Sequence, residues 1–75
     1  MVKPTSVTNR VRALRFAAGE MTQAELADKV GVTRQTIIAI EQGRYSPSLE
    51  MAFRIARAFD VKLDEVFQYP EEEQT

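Results

Sequence analysis

Thr33, Arg34, Gln35 and Thr36 are four consecutive hydrogen-bonding side chains at the head of a stretch whose next residues are Ile37, Ile38, Ala39 and Ile40. Arginine offers a forked pair of donors that fits the O6 and N7 edge of guanine, and the glutamine amide fits the N6 and N7 edge of adenine. A threonine hydroxyl bonds a base or a phosphate, and its methyl can touch that of thymine. The chemistry on offer is recognition of a duplex rather than bond-making. The 75 residues contain no histidine and no cysteine. The commonest general base, the commonest zinc ligand and any thiolate are therefore missing. Without a glycine-rich phosphate loop or a pocket of paired carboxylates either, the expectation is no enzyme, no metal, no cofactor and no evident small-molecule ligand.

A reading head of this kind must be held out from a body, and the flanking sequence supplies the means. Five helices are expected, in an all-α domain. The first runs from about Ser6 to Ala18, with Val7, Val11 and Leu14 on one stripe and Gly19 as its stop. Thr22 and Glu25 have capping-box spacing and announce the second, whose inner residues are Leu26, Ala27 and Val30. Gly31 ends it, and Thr33 can cap a third helix almost at once. In that helix Ile37, Ile40 and Glu41 share one side, and Gln35, Ile38, Ala39 and Gln42 the other. Gly43 closes it and Arg44 to Pro47 form a loop. Ser48 can cap a fourth helix with the face Leu49, Ala52, Phe53, Ala56 and Phe59. A short fifth helix spans about Leu63 to Phe67. Two short helices joined by so tight a glycine turn form a helix-turn-helix, which presents its second helix at a steep angle. The major groove admits one such helix.

Charge is divided along the chain. The whole carries a formal −1. Residues 1–59 hold nine basic and five acidic side chains, a net +4, and residues 60–75 hold one and six, a net −5. The basic part suits a nucleic-acid partner, and the acidic end suits a solubilising tail over 69–75. No apolar run approaches the roughly 20 residues that cross a bilayer. No apolar signal region opens the chain, so a cytoplasmic location and no membrane partner are expected. One domain over 1–75 is expected, with its core over about 6–68.

The stretch from Thr22 to Val61 closely resembles the phage repressor and Cro-like (XRE-type) helix-turn-helix family. The resemblance rests on Gln23, Ala24, Leu26, Ala27, Gly31, Val32, Ile37, Ile40, Glu41, Gly43 and Pro47, and extends over about residues 9–68. The length and the ending resemble small single-domain regulators such as the cytolysin repressor. The resemblance implies a compact five-helix lambda-repressor-like fold, an operator in double-stranded DNA, and a symmetric dimer. It implies that Gln23 bonds a backbone phosphate and that Thr33, Arg34, Gln35 and Thr36 open the reading helix, with Arg34 and Gln35 on bases. Ala39 stands where relatives often contact a base, and Ile38 where many carry a polar residue. Both can offer only apolar contact, such as a thymine methyl. The loop of Arg44, Tyr45 and Ser46 is implied to grip phosphates, with Arg10 as a further contact. Arg15 and Glu41 are implied to pair.

One reading helix discriminates weakly, because each good contact is worth about 1–3 kcal/mol. A twofold dimer doubles the contacts. Its surface is expected from helix five and the segment after it, at Leu63, Val66, Phe67 and Tyr69, which have little else to bury against; Leu63 and Phe67 are expected to close the protomer core as well, with Tyr69 mostly at the interface. The extended ends, Val2 to Thr5 and Gln68 to Pro70, can pair as short strands. The expected function is a sequence-specific transcriptional regulator, a repressor on an inverted-repeat operator. The alternatives are an antitoxin, a restriction-system controller, or a protein-interaction module that has lost DNA binding.

Overall fold

The turn between the second and third helices is built from three local devices. In α2 (Gln23–Val30) the Thr22 hydroxyl accepts the Glu25 N–H at 3.0 Å, and the Glu25 carboxylate accepts the Thr22 N–H at 2.8 Å. Each bond satisfies a donor that the helix start would otherwise leave open. Gly31 then takes a left-handed φ of 85°, and its N–H and that of Val32 both donate to the Ala27 carbonyl. Only glycine adopts that φ without a Cβ penalty. The Thr33 hydroxyl immediately caps α3 (Arg34–Glu41) by accepting the Thr36 N–H at 3.2 Å.

The computed structural model describes residues 5–70. Five helices and one two-stranded sheet follow the order β1 (Thr8–Asn9), α1 (Val11–Ala17), α2, α3, α4 (Leu49–Phe59), α5 (Leu63–Val66), β2 (Phe67–Gln68). The strands are antiparallel, Thr8 opposite Gln68 and Asn9 opposite Phe67. Val11, Leu26, Ile37, Ile40, Ile55 and Val66 fill the centre, each no more than 1% exposed. All five helices contribute to that centre.

Several expectations need correction. The first helix starts at Val11 rather than near Ser6. Thr8 and Asn9 are drawn into the ladder by Phe67 and Gln68, and the Arg10 N–H donates to the Val66 carbonyl at 2.8 Å. Periodicity cannot see a partner some sixty residues away. Phe67 leaves helix five for the same reason, with extended φ −121° and ψ 138°. The described pairing joins Thr8–Asn9 to Phe67–Gln68; Val2 to Pro4, expected in such a pairing, lie outside the described residues, as do Glu71 to Thr75 of the acidic tail.

The buried face of α4 is rotated from the expected one. Ala52, Ile55 and Ala56 are buried, whereas Leu49 is 67% and Phe53 50% exposed. The apolar arc of α4 is wider than the body it covers. Contact centres on Ile55 and leaves Leu49 and Phe53 at the flank. Finally Val66, expected at a dimer surface, is 0% exposed and closes the core of the protomer. Leu63 and Phe67 are half-buried and Tyr69 is 75% exposed.

Candidate nucleic-acid interface

α3 has one side locked and one side open. Ile37 and Ile40 are 0% and 1% exposed, which fixes the rotation of the helix about its axis. Arg34, Gln35 and Gln42 are exposed on the other side, with Ile38 and Ala39 half-buried between them. Asn9 adds a second fixing point. Its Nδ2 donates to the Ile40 carbonyl at 2.8 Å, and its Oδ1 accepts the Val11 N–H at 3.1 Å. One side chain thus ties the end of α3 to the start of α1. The sequence gives no sign of this tie, because Asn9 falls inside the expected first helix and only the observed start at Val11 frees it.

The third fixing point is ionic. Arg15 donates from Nε to Glu41 Oε2 at 2.6 Å and from its second terminal nitrogen to Glu41 Oε1 at 3.1 Å. Its remaining nitrogen donates to the Met21 carbonyl at 2.8 Å. Each of the two side chains is 9% exposed. A paired fork of this kind is the strong form of the carboxylate contact, and burial makes it intolerant of losing a member. Gln23 joins it, its Nε2 donating to Glu41 Oε1 at 3.2 Å. The glutamine implied to hold phosphate is thus oriented from behind, and its second Nε2 hydrogen is left to point elsewhere. The cluster ties α1, α2 and α3 together at one place.

Thr33 and Thr36 are engaged with each other. Their hydroxyls lie 3.0 Å apart, and Thr33 Oγ1 also accepts the Thr36 N–H. Both remain on the same end of the helix as Arg34 and Gln35. Arg44, Tyr45 and Ser46 are all exposed, Tyr45 by 42%. The Arg44 N–H donates to the Ala39 carbonyl at 3.0 Å, so the loop is fastened to the end of α3 and that amide is already used. Arg10 is exposed beside the strand pair.

A cleft that the loop does not line borders α3. Arg12 and Phe16 of α1, Gln23 of α2, and Arg34, Ile38 and Gln42 of α3 line it. No motif in the sequence marks Arg12 as functional, although its i,i+4 spacing from Phe16 is readable there. Knowing that this pair faces α3 requires the packing of α1.

A second groove, mostly apolar, lies among Pro47, Leu49, Leu63, Phe67 and Tyr69, with Asp64 and Gln68 at its edge. It gathers three of the four residues expected at a dimer surface and adds Leu49, expected to face the core. Among the described residues no group of three or more His, Cys, Asp or Glu side chains could hold a metal ion. None of the described helices is long and apolar enough to cross a membrane.

Comparison with known proteins agrees with this geometry. A helix-turn-helix family profile matches residues 11–66. An uncharacterised HTH-type transcriptional regulator of Methanocaldococcus jannaschii is 51% identical over 65 residues, which cover 87% of this chain and 97% of that protein. The cryptic phage CTXphi transcriptional repressor RstR of Vibrio cholerae is 32% identical over 59 residues, covering 79% of this chain and 52% of that protein. A crystal structure of a protein from Bacteroides fragilis has the same fold, with a TM-score of 0.72 at 24% identity, covering 83% of this chain and 98% of that one.

Proposed function

The chain belongs to the helix-turn-helix family of transcriptional regulators, a non-enzymatic DNA-binding family, and from that membership we propose that it binds an inverted-repeat operator as a homodimer and represses transcription there. The observation that carries the reading is the division of α3: Ile37 and Ile40 are sealed while Arg34 and Gln35 stand free. A helix so fixed enters a major groove with its polar edge foremost. Arg34 and Gln35 read base edges. Thr33 and Thr36 bond phosphate or base, and Ile38 and Ala39 contact thymine methyls. Gln23 and the loop of Arg44, Tyr45 and Ser46 hold phosphates, which set register without carrying sequence information. The similarity to RstR supports repression as the outcome.

The homodimer is proposed through the apolar groove. Leu49 and Tyr69 are 67% and 75% exposed beside it, and a second copy would cover them. The two reading helices would then stand about 34 Å apart, one turn of DNA. Leu49→Asp is expected to raise the dimer dissociation constant by about 30-fold, the counterpart of the roughly 2 kcal/mol carried by a central interface side chain. Sedimentation velocity over a concentration series reads this directly. A dimer as tight as the wild type would move the interface elsewhere.

The test of DNA binding itself is a salt titration with mixed-sequence duplex. Phosphate contacts release counterions, so the logarithm of affinity should fall steeply and linearly with the logarithm of salt concentration. A flat response would favour the protein-interaction alternative, to which the net charge of −1 is better suited.

A further inference from the structure

We propose that the cleft between α1, the start of α2 and α3 is a phosphodiester-binding subsite anchored by Arg12, an assignment that rests on the DNA-binding reading above. Three guanidinium groups border the cleft, those of Arg12, Arg15 and Arg34, against the carboxylates of Glu20 and Glu41. Arg15 and Glu41 consume each other. Among the described residues neither Arg12 nor Arg34 has a carboxylate within ion-pair distance. The cleft therefore carries an uncompensated positive charge, close to the fixed Gln23 amide.

Arg12 is not merely exposed. Its guanidinium carbon stands 5.5 Å from the centroid of the Phe16 ring, and that of Arg15 stands 5.6 Å from it. Phe16 is 52% exposed, so its ring is open to the guanidinium at the surface. Stacking on an aromatic face limits the guanidinium to fewer orientations while leaving its outer donors open. A pre-ordered fork of donors matches a phosphate better than a free lysine would.

The position fits one strand of a duplex. A major groove has a phosphate backbone along each rim. The Arg12 cleft borders α3 through Arg34, Ile38 and Gln42, and the loop of Arg44, Tyr45 and Ser46 takes no part in its lining. With α3 in the groove, the second backbone passes over the cleft. Of the two arginines of α1 that line this cleft, Arg12 is the one not paired with Glu41.

The full-length chain with random-sequence duplex DNA, titrated with salt and followed by fluorescence anisotropy, tests the subsite. Arg12→Gln keeps much of the stem against Phe16 and removes the charge. It should reduce the slope of log affinity against log salt by about 0.9 for each protomer engaged, the value of one phosphate contact. Arg57→Ala removes the same charge from exposed α4 and should keep the wild-type slope. Arg12→Lys should keep the slope and bind more weakly. An Arg12→Gln slope equal to that of Arg57→Ala would overturn the subsite and leave the DNA-binding reading standing. A wild-type protein with no salt-dependent binding would overturn both. Arg12 is exposed, so thermal melts of the three variants should match the wild type.

Discussion

Glu41→Ala is expected to lower the unfolding free energy by about 3–5 kcal/mol, the cost of leaving a buried charge without its partner. Arg15 is only 7% exposed, and two of its three donors end on Glu41. Alanine offers neither of those acceptors, and water has poor access to replace them. Gln23 loses its partner in the same step. A domain of this size has a total stability of roughly 4–11 kcal/mol, at about 0.05–0.15 kcal/mol per residue. The single change therefore removes about a quarter of it or more. Urea denaturation followed by circular dichroism reads the loss as a fall in midpoint with little change in slope. Replacing both members with apolar residues, Arg15→Met with Glu41→Leu, should restore much of the loss, because no charge is then stranded. A midpoint unchanged in Glu41→Ala would mean that Arg15 finds solvent or another acceptor, and that the cluster does not hold α3.

Gln35→Ala is expected to weaken binding to the operator by roughly 2–6 kcal/mol in a dimer, at about 1–3 kcal/mol for each base pairing removed. Affinity for random DNA should be unchanged. Gln35 is exposed on the open side of α3 and makes no side-chain hydrogen bond among the described residues, so the substitution should cost little stability. Arg44→Ala should weaken both DNAs together, because a phosphate contact is blind to sequence. Gel-shift titrations on the two DNAs separate these patterns. Equal losses on both for Gln35→Ala would remove it from base reading.

The parts of the molecule legible in the sequence are those whose cause is local. Thr22, Glu25, Gly31 and Thr33 each act on backbone groups within a few residues, and the α2–α3 unit is their consequence. The Arg15–Glu41 pair is implied by family resemblance, while its third partner, Gln23, is not. Illegible are the features decided at long range. The start of α1 depends on Phe67 and Gln68. The rotation of α4, which turns Leu49 and Phe53 outward and Ile55 inward, depends on how the other helices present their apolar stripes. Val66 and Tyr69 lie three residues apart, yet one is sealed and the other stands in solvent. Arg12 gains a role only through the way α1 borders α3.

Selection of bound duplexes from a random pool tests the central claim most directly, that the outer edge of α3 reads bases in a major groove. The expected result is enrichment of an inverted repeat whose half-site centres lie about 10–10.5 base pairs apart. The same selection with Gln35→Ala should lose preference at one position in each half-site. A wild-type pool that remains random, or an enriched sequence identical for wild type and Gln35→Ala, would contradict the claim.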